Sequence, residues 1–184
     1  ALGKVAGTEK TSVGNDFYRE GWSSYNYTQI VSNLTYDVSG LTSTVNGLSA
    51  SGATSADYAF NRAQAALTYQ PRANAKKVVI FFTDGAPTTQ SSFSPDVASS
   101  AVGSAKDMKD AGAVVYSIGT FQSADPAKYP NAQGVSNENK FMHAVSSNYP
   151  SATYSYEKTS LWWGEYKWSF GDRAKGSDGK DAAF

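Results

Sequence analysis

The residue with the clearest chemical potential in the sequence is Asp84, which directly follows a run of apolar residues. The stretch VVIFFTDGAPT (78–88) predicts a buried strand that leaves the core at Thr83, so that Asp84 lies at the rim. An ionised carboxylate at such a rim needs a cation, a hydrogen-bond donor or water as its partner. Magnesium is one suitable cation, because it prefers oxygen ligands and keeps positions open for a substrate. Asp-Gly after a strand is also common turn chemistry, in which the carboxylate caps local amides, and the residues alone leave both interpretations open.

Other polar residues offer less specific chemistry. Thr54 precedes a predicted helix over 55–69 and can act as its N-cap, since threonine caps helices well. Asp57 can pair with Arg62 or lie in solvent, and we assign it no function. His143 is the only histidine, which excludes multi-histidine metal sites, and no nucleophile motif accompanies it.

Composition excludes several classes of protein. The chain has 184 residues, enough for one domain with a core, and its 16 basic residues balance its 16 acidic residues. That balance argues against nucleic-acid binding, which needs a basic face. The absence of cysteine excludes a disulfide framework and a thiolate zinc site. No apolar run approaches the roughly 20 residues that cross a bilayer.

A strand–helix–strand unit is expected to position Asp84. The runs KKVVIFF (76–82) and AVVYSIG (113–119) lack polar alternation, which is typical of strands covered on both faces of a parallel sheet. Between them, a helix over 94–112 has Ser94 as its cap and Pro95 at its first position. Its apolar face consists of Val97, Ala98, Ala101, Val102, Ala105 and Met108. The predicted fold class is α/β, a Rossmann-like open and mainly parallel sheet with helices on both faces.

Weaker patterns complete the predicted fold. We expect helices over 37–48, 52–71 and 137–148 and a strand over 152–157. In the first of these helices, the side chains expected to face inward are Leu41, Val45 and Leu48.

An aromatic segment follows these elements. Residues 157–181 read as an inserted hairpin or arm, and Asp178-Gly179 is a strong turn signal. The segment carries Trp162, Trp163, Tyr166 and Trp168, which either form a recognition surface or pack a hairpin face on the sheet.

Three stretches together resemble the von Willebrand factor A domain. VVIFFTDGAPT resembles the family's fourth strand and its following loop, and LSASGATSADYAF (48–60) resembles the loop that opens the helix before that strand. KFMHAVSSNYPSA (140–152) is similar to sequences found in such domains at the tips of Gram-positive pili. The resemblance implies a metal-ion-dependent adhesion site with Thr54 and Asp84 as ligands. The hydroxyl of Thr54 and the carboxylate of Asp84 are then expected to converge on one point.

The family's principal motif, Asp-x-Ser-x-Ser, is not found where it is expected. The nearest string, YDVSGLTS (36–43), has Leu41 in place of the last serine and lies too close to Thr54 for the intervening family elements to fit. We therefore expect the true motif upstream of Ala1, and a single domain over 1–184 that is truncated at both ends. The implied cofactor is a divalent cation, Mg²⁺ or Mn²⁺ and in a further alternative Ca²⁺. Its binding is expected to be weak or absent unless the Asp-x-Ser-x-Ser loop is supplied.

The resemblance implies a binding module rather than an enzyme. The expected role is cell-surface adhesion, in which the cation binds an acidic group of a host or extracellular-matrix protein. The expected location is extracellular, on the cell surface or a pilus. Other pilus subunits, or a complementary chain segment that supplies the first strand, are further expected partners.

Two alternatives stay open at this point. One is an enzyme of the α/β-hydrolase or phosphotransferase kind, against which stands the absence of both a phosphate loop and a Gly-x-Ser-x-Gly elbow. The other is a structural stalk piece with an inactive metal site.

Overall fold

The computed structural model describes residues 18–20, 23–25, 32, 34–48, 54–69, 74–88 and 92–182. In chain order the elements are β1 (Tyr18–Glu20), β2 (Ser23–Tyr25), α1 (Val38–Asn46), α2 (Ala56–Tyr69), β3 (Val78–Thr83), α3 (Pro95–Asp110), β4 (Val114–Gly119), α4 (Asn137–Val145), β5 (Thr153–Lys158) and β6 (Gly164–Ser169). Strands β1 and β2 form a short antiparallel pair that the sequence did not predict. Within the described ranges, no helix is long and apolar enough to cross a membrane.

The predicted strand–helix–strand unit is confirmed as β3, α3 and β4. Strands β3 and β4 pair in parallel, in a register that runs from Val78 opposite Val114 to Thr83 opposite Gly119. The side chain of Ser94 accepts a hydrogen bond from the amide of Val97 and so caps α3. All six predicted apolar residues of α3 are buried. The α/β fold class with a parallel sheet is therefore confirmed.

The core is centred on Phe81, in the middle of β3. Its ring centroid lies 4.8 Å from that of Phe60 on α2 and 5.9 Å from that of Phe141 on α4. The buried residues of α2, α3 and α4 join Phe81 and Val115 in one cluster. These helices thus pack on the sheet face that carries Phe81.

The opposite face of the sheet is exposed within the described part of the chain. Val78, Ile80 and Phe82 alternate with the buried positions of β3, and all three are exposed, as is Ile118 on β4. The expectation that KKVVIFF is covered on both faces is therefore wrong for the described residues. From Val78 to Phe82 the run is apolar without alternation, so its sequence does not indicate which face lacks a cover.

Helix α1 forms as predicted but makes no core. Asp37 is its N-cap, and the carboxylate accepts a hydrogen bond of 2.9 Å from the amide of Gly40. None of its residues is buried, and Val45 and Leu48 are exposed, so the predicted inward face is wrong. This N-cap also gives the acidic residue of YDVSGLTS a local structural role.

Strands β5 and β6 form an antiparallel hairpin whose base packs on the domain. Thr153 lies opposite Ser169 and Lys158 opposite Gly164. The ring of Trp168 stacks 3.8 Å from that of Tyr154, and the hydroxyl of Ser99 on α3 donates to the carbonyl of Tyr154. The hairpin overlaps the segment predicted as an arm over 157–181 but begins earlier. The predicted turn at Asp178-Gly179 is present, with Gly179 at a φ of 75° between bridged Lys175 and Asp181.

Candidate functional site

Asp84 lies where the parallel strands end. Thr83 and Gly119 are the paired last residues of β3 and β4, and the amide of Thr120 donates to the carbonyl of Thr83 at 3.0 Å. Ligands of open parallel sheets bind beyond these carboxyl ends of the strands. The structure thus puts Asp84 at the end of the sheet where a binding site is expected.

The turn after β3 is held by Thr83 rather than by Asp84. The buried hydroxyl of Thr83 accepts a hydrogen bond from the amide of Gly85 at 3.2 Å. The same hydroxyl donates to the carbonyl of Gly85 at 3.1 Å. The side chain of Asp84 is exposed, and no hydrogen bond or ion pair joins its carboxylate to any residue in the described part of the chain. The interpretation of Asp84 as a cap for local amides therefore has no support in this turn.

The backbone of Thr54 is hydrogen-bonded to the loop that begins at Asp84. The amide of Thr54 donates to the hydroxyl of Thr88 at 3.1 Å, and the amide of Thr88 donates to the carbonyl of Thr54 at 3.1 Å. Thr88 is buried and Thr54 is half-buried, so this reciprocal pair is partly shielded from water. The structure thereby brings the start of α2 against the 84–88 loop, while the convergence of the two side-chain oxygens on one point stays a prediction.

The N-cap position of α2 belongs to Ser55. The helix begins at Ala56, and the carbonyl of Ser55 accepts the first helical bond, from the amide of Ala59 at 3.1 Å. Thr54 lies one residue before this position, so its predicted capping role is wrong. Adjacent threonine and serine are both good caps, and the sequence alone does not separate them.

Asp57 is buried in the first turn of α2. Its carboxylate accepts a hydrogen bond of 2.9 Å from the amide of Tyr58 and is almost fully removed from solvent. The alternative that Asp57 lies in solvent is therefore wrong. A carboxylate near a helix N-terminus is favoured by the unpaired amides and the helix dipole there.

A cavity of about 220 Å³ beyond the end of β4 was not predicted. Its lining is mainly apolar, with Phe121 and Met142 beside the polar Asn139 and His143. Burial lowers the pKa of His143, although the nearby backbone of Asp125 favours the protonated ring. In the sequence, Asn139 and His143 are four residues apart, which puts them on the same face of α4, but this spacing alone does not predict a cavity.

The aromatic set of the arm divides into two groups. Trp168 and Tyr166 pack at the base of the β5–β6 hairpin, where the hydroxyl of Tyr166 donates to the carboxylate of Asp96. That bond raises the pKa of Tyr166 to about 12. Trp162 and Trp163 lie exposed at the tip of the hairpin. The packing interpretation thus holds for the first pair and fails for the second.

The donors at this end of the sheet suit a hard cation but fill few of its positions. A threonine hydroxyl and an aspartate carboxylate are the oxygen ligands that Mg²⁺ prefers, and neither oxygen is taken by a local capping role. Magnesium takes about six ligands, so other groups must supply most of its coordination shell. Among the described residues, no three or more His, Cys, Asp or Glu side chains form a group that could hold a metal ion.

Comparison with known proteins identifies the family. The family model of the von Willebrand factor type A domain matches residues 8–155, which is most of the 184-residue chain. Domains of this family are adhesion or protein-binding modules and are often extracellular or surface-associated. No curated protein and no solved structure shows a significant match to the chain. Since the family model covers more than half of the sequence and the α/β fold agrees with it, the chain belongs to the von Willebrand factor type A domain family.

Proposed function

We propose that this domain is a cell-surface adhesion module that binds an acidic group of a host or matrix protein through a divalent cation held in part by Thr54 and Asp84. The protein acts by binding alone, so no covalent bond is made or broken. Its location is outside the cell, on the surface or on a pilus.

One observation carries the proposal. The reciprocal hydrogen bonds between Thr54 and Thr88 tie the start of α2 to the loop that begins at Asp84. Those bonds bring a hydroxyl-bearing residue and an exposed carboxylate to the same end of the sheet, although 30 positions separate Thr54 from Asp84 in sequence. The order of the family-like stretches in the sequence does not by itself require the hydrogen bonds between Thr54 and Thr88.

The two residues have different roles in this proposal. Asp84 supplies negative charge, and its exposed carboxylate remains available because Thr83 closes the turn. Thr54 supplies a neutral oxygen on a backbone that Thr88 holds in place. When bound, a divalent cation adds a positive centre with one open position for an acidic side chain.

Further ligands complete the site. A complementary chain segment that carries a loop with Asp-x-Ser-x-Ser supplies them. With Thr54 and Asp84 alone, we expect a dissociation constant on the order of 1 mM or weaker. The same reasoning predicts that added strand segments raise the affinity.

Calorimetric titration with Mg²⁺ and with Mn²⁺ tests the metal site. Asp84→Ala should abolish the weak binding of the 184-residue chain, and Thr54→Val should weaken it. Asp107→Ala is the matched control, because Asp107 is an exposed carboxylate on α3 and its loss changes the net charge equally. Equal binding by wild type and Asp84→Ala would refute the site, and binding by neither would favour a structural piece with an inactive site.

A turnover assay with generic phosphate esters tests the enzyme alternative. We expect no hydrolysis above background with or without Mg²⁺. Turnover that disappears in Asp84→Ala would replace adhesion by phosphoryl chemistry at the same residue.

A further inference from the structure

The tip of the β5–β6 hairpin is an exposed apolar protrusion of three consecutive residues. Leu161 is 92% exposed, Trp162 87% and Trp163 77%. Scattered apolar residues are normal on a protein surface, but a contiguous exposed group marks an interaction site. These residues lie beyond the 8–155 segment that the family model matches, so the family's adhesion site gives them no role. We call residues 161–163 the hairpin tip.

Several backbone polar groups of the hairpin tip are already bonded within the turn. The amides of Thr159 and Ser160 both donate to the carbonyl of Trp163, at 2.9 and 3.0 Å. The hydroxyl of Ser160 accepts from the amides of Trp162 and Trp163, at 3.3 and 3.1 Å. These groups need no water to satisfy them, which is the condition for entering a medium that offers few hydrogen bonds.

The charges behind the hairpin tip cancel. The ammonium group of Lys167 on β6 lies 3.4 Å from the carboxylate of Glu157 and 3.5 Å from that of Glu165. Lys158, the last residue of β5, is the second cation near the tip. Two lysines and two glutamates give no net charge to attract an anionic or a cationic partner. A partner surface that is itself electrically neutral is the complement of this arrangement.

The fold does not require the hairpin tip. The hairpin is fixed at its base, where Trp168 stacks on Tyr154 and 5.7 Å from Phe170. The bond from Tyr166 to Asp96 adds a second attachment, to the first turn of α3. The tip therefore projects from a rigid support, and its side chains are free to bury elsewhere.

We propose that the hairpin tip inserts into the headgroup–acyl boundary of a zwitterionic lipid bilayer. Tryptophan is enriched at that boundary because its ring is apolar and its N–H remains able to bond at headgroup level. A protruding tip with several bonded backbone groups fits a medium that deforms around it, whereas a rigid protein partner needs a matching groove. The balanced charges behind it favour phosphatidylcholine over anionic lipids.

Vesicle flotation with pure phosphatidylcholine tests this assignment. We expect the wild-type chain to float with the vesicles, with a blue shift of its tryptophan emission. Leu161→Ser/Trp162→Ser/Trp163→Ser should lower the partition coefficient at least about tenfold, since burial of one large apolar side chain is worth that factor. Val38→Ser/Val45→Ser is the matched control, because it removes exposed apolar side chains from α1 and should float like wild type.

Salt and lipid charge separate the remaining outcomes. Flotation should be the same at low and high salt and should not require phosphatidylserine. Failure of the wild type to bind phosphatidylcholine, an unchanged triple variant, or binding confined to anionic vesicles at low salt would each overturn the proposal. Circular dichroism of the triple variant confirms that its fold is intact, and a control variant that also loses binding would count against the tip.

Discussion

Replacing Phe81 by alanine should destabilise the domain far more than the same change at Phe82, the next residue along β3. Phe81 is 5% exposed and is flanked by the rings of Phe60 and Phe141, whereas Phe82 is 57% exposed. Loss of a buried phenylalanine removes its transfer free energy and leaves a cavity, which together cost about 3–5 kcal/mol. At Phe82, more than half of the side chain is already in water, so we expect about 1 kcal/mol or less.

Urea unfolding and thermal melting, both followed by circular dichroism, measure the difference. For a chain of this size, 1 kcal/mol shifts the melting temperature by about 2–4 °C, so Phe81→Ala should melt roughly 6–20 °C lower. Phe81→Leu keeps most of the apolar volume and provides a milder variant if alanine prevents folding, with a cost of about 1.5 kcal/mol or less. Equal losses at the two positions, or a larger loss at Phe82, would refute the assignment of the covered and exposed faces.

Two further predictions concern the loop and the histidine. Thr88→Val leaves the amide of Thr54 without its acceptor and should lower the free energy of unfolding by about 1–3 kcal/mol. Thr88→Ser keeps the hydroxyl, so its free energy of unfolding should fall by less. Equal stability of the valine variant and the wild type would contradict the reciprocal bond. Burial lowers the pKa of His143 below its usual value of about 6.5, so the unfolded chain binds a proton at this ring more tightly than the folded chain does. The free energy of unfolding should therefore fall as the pH drops below about 6.5 and on through the folded pKa. His143→Gln should flatten this part of the urea-midpoint profile, and the NMR titration of the single histidine should give a folded pKa below 6.5; a value at or above 6.5 would exclude the effect.

The elements around the site were predictable because their signals are local. Ser94, Pro95 and the spaced apolar residues of α3 specify a helix without reference to the rest of the chain. The runs on either side have the β-branched and aromatic content of strands, which fixes β3, β4 and the position of Asp84 at a strand end. The same reasoning predicted the turn at Asp178-Gly179.

What could not be predicted depends on contacts between distant segments. The apolar residues of α1 are spaced for a buried face, yet no described element covers them. The reciprocal bonds of Thr54 and Thr88, and the burial of Asp57, exist only once α2 and the loop after β3 have met. The aromatic residues of the hairpin alternate along β6, but only the packed base distinguishes Trp168 from the exposed Trp163.

The hydroxyl of Thr83 has a consequence for protein engineering. Because this side chain closes the turn, position 84 carries no architectural duty, and its chemical identity can be rewritten without redesigning the loop. Glutamate, asparagine or histidine at this one position would sample different ligand lengths, charges and softness on an unchanged scaffold. Thr83 thus holds the turn, whereas the recognition that we propose depends on its neighbour, Asp84.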